Sequence, residues 1–510
     1  MALNLHISRL RKPKRKSASI EANSARYESE DVKPDEQQWE GLRGRANALV
    51  YLPVKHDLVD FHMPPYEALL MPDVRDGLES LESQLPRLHK LVSTWDFSTL
   101  QLSEQDLVNC AAVIFKHLFK LPGTEEWHLT DEALFSFIGN IRRAYYTTNP
   151  YHNFRHAVDV LQAVFYMLLS SAVLPQMSET CQEFEAIGCS VLPLLMTPQY
   201  MLGACIVGIG HDVGHPGVNN ALLVATKAPI SLLYNDRSVL ESMHCAALGR
   251  ILTQKWPATQ QGSMRKVIIE LILSTDMALH FDYMSKFKEM EQVCIAAREA
   301  AAEQVAPVEP VEIPSATLDK YKVTLFSALI KCGDISNVAR PFAISRDWSF
   351  VLLKEFFNQA RLEKAMGLPV TKNFDPEQTA QADSQMFFIN LFAQPLFVSL
   401  EKVLPNLMPI SRTIASNHDT WKLLKADPQS LATVVDNISR PTSDLNKILA
   451  KPLAKSADFE IIRPEDDKVF VDDHNTTVAN SGDIHDSQNK SKKSFSLQKL
   501  FKRKKSGVPA

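Results

Sequence analysis

Disulfide chemistry is missing from the pattern of this 510-residue chain. Its seven cysteines, Cys110, Cys181, Cys189, Cys205, Cys245, Cys294 and Cys332, show no paired spacing and no CxxC. An odd, scattered set in apolar surroundings argues against a disulfide scaffold and points to buried thiols in a reducing compartment. The opening MALNLHISRLRKPKRKS lacks the apolar stretch of a secretory signal. Long apolar runs are scarce as well. Cys189 to Gly210 carries no charge and is about long enough for a bilayer. Pro193 and Pro198 interrupt it, and it runs straight into His211 and Asp212, so it reads as a loop and then a buried helix, with no membrane span. The formal net charge of -4 gives no overall attraction for nucleic acid. Internal repeats are absent and alternating strand patterns rare; NALVYLPV at 47–54 is the best strand candidate.

What is present is helical periodicity. Ser103 can cap, with Asp106 three residues on as a capping-box variant. Leu107, Cys110, Ala111, Ile114, Phe115, Leu118 and Phe119 then recur at three- and four-residue spacing. The segment 131–146 behaves likewise through Leu134, Phe135, Ile138 and Ile141, and similar spacing recurs in 267–275, 321–332, 348–362 and 384–403. The expectation is an all-α chain with one large helical domain over 93–450 and a segment, 41–92, packing on it. Polar composition predicts disordered basic tails over 1–40 and 456–510. A stretch rich in Ala, Pro and Glu near 298–316 reads as a surface insertion.

Three segments carry chemistry. In NPYHNFRHAVDV (149–160), Asn149 can cap a helix and Pro150 suits its first turn. His152 and His156, four apart, then project from one face, with Asp159 near it. Such a pair can share a metal, or one imidazole can bind metal while the other handles protons. In GIGHDVGHPGVNN (208–220), His211 and Asp212 are adjacent and His215 follows. A buried ionisable cluster after a charge-free run is costly unless paired or metal-bound, although hydrogen-bonded structural histidines would also satisfy it. In ALIKCGDISNVARP (328–341), an apolar run ends on Asp334, which alone would read as a cap. His156, His211, Asp212 and Asp334 together offer two nitrogens and two oxygens, a set that suits catalytic zinc. A harder ion such as Mg²⁺ could share Asp212 and otherwise hold waters.

YHN-x-x-HA-x-D-V, HDV-x-HPG and GD-x-S-N, in this order, resemble the motifs of the class I cyclic-nucleotide phosphodiesterases. LLYNDRSVLESMH (232–244), LSTDMALH (273–280), EFFNQARLEKAMGLPV (355–370) and SQMFFI (384–389) extend the resemblance over about 93–440. The HDVGHPG spelling, the insertion and the basic tails look most like the fungal high-affinity cAMP phosphodiesterases. The resemblance implies an all-helical HD-type catalytic domain that hydrolyses the cyclic phosphodiester of cAMP, with cGMP as a further substrate, to the 5′-monophosphate. It implies zinc on His156, His211, Asp212 and Asp334, with a second ion touching Asp212, usually Mg²⁺ with Mn²⁺ as the alternative. His215, Glu241 and Thr275 match residues that hold waters there. His152 matches the general acid, with Glu241 near the position that orients it. Tyr151 matches a pocket wall, Gln385 the purine-reading glutamine, Phe388 the stacking aromatic, Leu352 the opposite wall and Asn337 a second purine contact. Gly214 departs from the family's usual Asp or Glu, Met243 from a common histidine, and Ala360–Arg361 from Gly–Asp.

Competing expectations are an HD-type phosphohydrolase acting on a non-cyclic nucleotide and an inactive cyclic-nucleotide sensor. The basic runs Arg9–Lys16 and Lys499–Lys505 suggest solvated tails, nuclear import or weak attraction to anionic membrane. Ser17, in KRKS, fits a basophilic kinase. The expected location is cytoplasmic, with a nuclear fraction as a further possibility. Oligomeric state is not legible.

Overall fold

The computed structural model describes residues 78–302, 313–375 and 379–426. The strand candidate at 47–54, the two tails, the middle of the 298–316 stretch and residues 427–450 lie outside them. The described residues contain helices and turns and no strand.

The principal helices are α1 (Leu78–Val92), α2 (Glu104–Leu118), α3 (Asp131–Arg143), α4 (Phe154–Ser170), α5 (Pro198–Gly210), α6 (Val239–Lys255), α7 (Met264–Leu273), α8 (His280–Ala302), α9 (Ser315–Asp334), α10 (Phe342–Ala365), α11 (Gln381–Phe388), α12 (Gln394–Val403) and α13 (Met408–Ala426). Their starts follow local chemistry. Ser103 Oγ accepts the N–H of Asp106 at 3.1 Å, Thr130 caps α3, and Asn153 caps α4 by accepting from Arg155 and His156. Asn153 therefore takes the role the sequence suggested for Asn149, and the helix begins four residues later than that reading. Asn149 instead donates to the carbonyls of His152 and His215, at 3.0 and 2.7 Å.

Helices α4, α5 and α9 form the middle of the core and are buried over most of their length. Small residues allow them to close. A Cβ on Gly208 would lie 3.0 Å from Leu161 Cα of α4, and one on Gly333 2.8 Å from Val164 Cγ2. Helix α1 shares this core through Leu81, Leu88 and Val92. The charge-free stretch resolves into an irregular connection, a short turn and buried α5.

Between α11 and α12 the chain makes a π turn, Ile389–Ala393. Pro395 follows inside the helix, where its ring cannot donate to the preceding turn, and the wider π turn accommodates it. By length and composition alone the stretch Gln381–Val403 could cross a membrane, the one such helix among the described residues. Its Leu396, Phe397, Leu400 and Val403 are buried in the core, and a core helix passes the same test.

Candidate metal and nucleotide site

The end of α5, the first turns of α4 and the end of α9 converge. His156 enters from α4, His211 and Asp212 from the end of α5, and Asp334 from the last position of α9. Asp334 Oδ1 lies 3.2 Å from both His156 Nε2 and His211 Nε2. Asp212 Oδ2 lies 3.3 Å from His211 Nε2 and 3.7 Å from His156 Nε2. Tetrahedral metal bonds of about 2.0–2.2 Å require donors roughly 3.3–3.6 Å apart; these four separations are close to that, and all four donors lie within 4.8 Å of one another, so the group could hold a metal ion. His211 Nδ1 faces the Gly208 carbonyl at 3.2 Å, which places its proton there and leaves Nε2 free as a ligand. Burial alone would lower the His211 pKa; Asp212 and Asp334 outweigh it and raise it well above the ordinary value. The same contacts overcome the burial penalty on Asp212 and hold it well below the carboxylate range.

His152 does not share a helical face with His156. It sits in the turn before α4, and its ring lies 5.7 Å from that of His156. Its Nε2 is 4.0 Å from Asp212 Oδ2, and its Nδ1 contacts the Glu355 carboxylate. Burial would lower the His152 pKa, but Glu355, with Asp212 and Asp334 behind it, raises it to about 9. Glu355 in turn is drawn down to about 2 despite its burial. Glu355 is thus the partner of His152, where the sequence pointed to Glu241; a lone glutamate in the middle of α10 carries no pattern that would have revealed it. The His152 ring stacks on His215 at 3.9 Å. His215 Nδ1 accepts the Gly217 N–H at 3.0 Å, which leaves its proton on Nε2. Glu355, His152 and His215 also have ligand atoms close enough to hold an ion.

Around the cluster, His244 presents Nε2 3.5 Å from Asp212 Oδ1, and Tyr145 braces the turn by donating to the Ile209 carbonyl at 3.0 Å. Glu241 accepts from Asn220, and burial beside Asp276 pushes it up to about 7. The buried Thr275 hydroxyl donates to the Ile272 carbonyl at 2.8 Å, which leaves its lone pairs as acceptors. Asp159 belongs elsewhere: it pairs with Arg340 at 3.3 Å, and that guanidinium lies 4.2 Å from the Trp95 ring. Gly214 adopts a positive φ of 78°, a conformation that suits glycine.

A second group of residues lies along α10 and α11. The rings of Tyr151 and His156 are 4.6 Å apart, and Asn337 Nδ2 donates to the Tyr151 hydroxyl at 3.1 Å. Asn337 Oδ1 accepts the Val338 N–H, so its amide orientation is fixed. Gln381 donates to Ser349 at 2.6 Å, tying α11 to α10. Leu352 and Gln385 follow one turn beyond this contact, each on its own helix. Gln385 is buried and its Oε1 has no partner; Phe388 is half-buried on the same helix.

The fold and the donor set define a helical metal-centre hydrolase of the His/Asp type. Residues 151–414 match the 3'5'-cyclic nucleotide phosphodiesterase family, and the chain belongs to that family. It is 30% identical over 65% of its length to the 3',5'-cyclic-nucleotide phosphodiesterase regA of Dictyostelium discoideum, of which it covers 38%. It is 28% identical over 68% of its length to 3',5'-cyclic-nucleotide phosphodiesterase 2 of Saccharomyces cerevisiae, covering 62% of that protein. Among solved structures it resembles yeast caPDE2, with 30% identity, a TM-score of 0.55, and coverage of 75% of this chain and 73% of that one. The phosphodiesterase domain of the Salpingoeca rosetta RhoPDE fusion protein matches at 26% identity and a TM-score of 0.53, over 66% of this chain and 97% of that domain.

Proposed function

We propose that this protein hydrolyses the 3′,5′-cyclic phosphodiester of cAMP, and more slowly that of cGMP, to the 5′-monophosphate, ending a cyclic-nucleotide signal. The observation that carries the reading is His152, backed by Glu355 and facing the four-donor cluster across 4.0 Å from Asp212. His156, His211, Asp212 and Asp334 would hold Zn²⁺, and Asp212 would share a second ion, Mg²⁺ or Mn²⁺. When bound, such ions neutralise phosphoryl charge and activate water near neutral pH.

The protein's own residues do the rest. His152 holds its proton on Nε2 for the departing 3′-oxygen, while Glu355 fixes the ring through Nδ1. His215, Glu241 and Thr275 would offer one donor and two acceptors to waters around a second ion. The orphaned Gln385 Oε1 can accept from an exocyclic purine N–H, and Phe388 and Leu352 would offer the two faces of a slot for the base. Tyr151 and Asn337, hydrogen-bonded to each other, would line the passage between base and phosphate.

Seven free thiols support a cytoplasmic location, with a nuclear fraction served by the basic runs. Phosphorylation of Ser17 belongs to the same proposal and would be dropped if phosphoproteomics of cells with raised cAMP found it unmodified.

The test is hydrolysis of cAMP and cGMP by purified protein with Zn²⁺ and Mg²⁺, beside His152→Ala. Fast loss of cAMP, slow loss of cGMP and a crippled variant are expected. No turnover of either by metal-loaded protein would overturn the reading and favour a non-cyclic substrate or a sensor.

A further inference from the structure

Cys189 and Cys294 stand apart from the other cysteines. They are 105 residues apart in the chain, yet the Cys189 thiol donates to the Cys294 backbone carbonyl, with Sγ 3.6 Å from that oxygen, and both side chains are buried. Cys189 sits in the irregular connection ahead of α5, between exposed Gly188 and Ser190, whereas Cys294 is fixed inside α8. One sulfur is therefore on backbone that can give, and the other on a rigid support.

We propose that Cys189 and Cys294 form a peroxide-sensitive dithiol that closes to a reversible disulfide. The Cys189 thiolate attacks one oxygen of a hydroperoxide. An S–O bond forms, the O–O bond breaks, and the departing oxide leaves as water or an alcohol after taking a proton. Cys294 sulfur then attacks the Cys189 sulfur of the sulfenic acid. The S–S bond forms, the S–O bond breaks, and the hydroxide leaves as water with the Cys294 proton. Two electrons pass from the thiols to the peroxide, and no other oxidant is needed.

Selectivity follows from the surroundings. The Cys294 hydrogen bond, helped by the Val191 and Leu192 N–H groups and Arg298, outweighs burial and brings the Cys189 thiol down to about 6. Burial pushes Cys110 and Cys245 up to about 12 and raises Cys205 and Cys332 as well, and the Cys189 contact with burial raises Cys294, so Cys189 is the thiol that meets the peroxide and Cys294 acts only on the oxidised Cys189 beside it. The cross-link would enclose His211, Asp212, Glu241 and Thr275 in one covalent loop and restrain the unfolded chain.

The experiment treats the full chain with a few equivalents of hydrogen peroxide. Intact mass is expected to fall by two hydrogens, and fragmentation of non-reduced peptides to show Cys189 joined to Cys294. Tm should rise, and dithiothreitol should reverse both changes. In Cys294→Ser, dimedone should trap Cys189 as a sulfenic acid with no cross-link. The proposal is overturned if all seven thiols survive peroxide in the folded wild type, or if the first disulfide joins other cysteines.

Discussion

Glu355 reaches His152 from 203 residues further along the chain, contacting Nδ1 with one carboxylate oxygen. Its other oxygen accepts the backbone N–H groups of Tyr151 and His152, at 3.0 and 3.1 Å. One buried carboxylate thus fixes both the ring and the turn that carries it.

The acid form of His152 exists below its raised pKa of about 9 and is lost as pH rises through that value. Activity should hold to the alkaline side of neutrality and decline beyond it. Glu355→Gln removes the charge that raises this pKa, so the falling limb should move toward the ordinary value of about 6.5. A kcat loss of roughly 10- to 100-fold is expected at pH 8. A pH–rate profile with an unmoved alkaline limb would show that Glu355 does not set this proton.

Asp334→Ala takes an oxygen from the four-donor set and leaves His156 and His211 without the carboxylate they share. Bound zinc, measured by elemental analysis, should fall at least ~10-fold. A chelator should abolish activity in the wild type and lower its Tm, with both restored by added Zn²⁺ and Mg²⁺. Full metal content in the variant would place the cation elsewhere.

Gln385→Ala removes the unpartnered buried acceptor without touching the metal cluster. The expected loss in kcat/KM is about 10- to 100-fold, carried mainly by KM. Phe388→Ala should cost about 1–3 kcal/mol of nucleotide affinity. Steady-state kinetics on cAMP decide both, and unchanged KM values would remove α11 from the base site.

Arg340→Met leaves Asp159 buried without its counter-charge. A stability loss of about 3–5 kcal/mol is expected in denaturant unfolding. Metal content of the folded protein should not change, because neither Asp159 nor Arg340 is among the four donors.

The sequence made α2, α3 and buried α5 legible because their apolar residues repeat at helical spacing between recognisable caps. It also pointed to the residues that meet at the cluster, because HD, His156 and Asp334 each end or begin an apolar run. The α4 start was misplaced since Asn149 and Asn153 are both good caps, and only tertiary contacts decide between them. That same shift put His152 in a turn. Glu355 was invisible because its role depends on α10 lying across the α4 entrance, a long-range arrangement without local signal. Asp159 looks like a companion of His156 by spacing, but Arg340 claims it from the connection between α9 and α10.

The Trp95 contacts bear on how short a working fragment could be. Trp95 Nε1 donates to the Ala339 carbonyl at 2.8 Å, its own carbonyl accepts from Arg340, and Gln162 of α4 donates to the carbonyls of Val92 and Thr94. Cutting the chain at 103 would wet the Arg340 guanidinium and strip Gln162 of both acceptors. A truncation intended for expression should therefore retain α1, even though that helix contributes no side chain to the metal cluster.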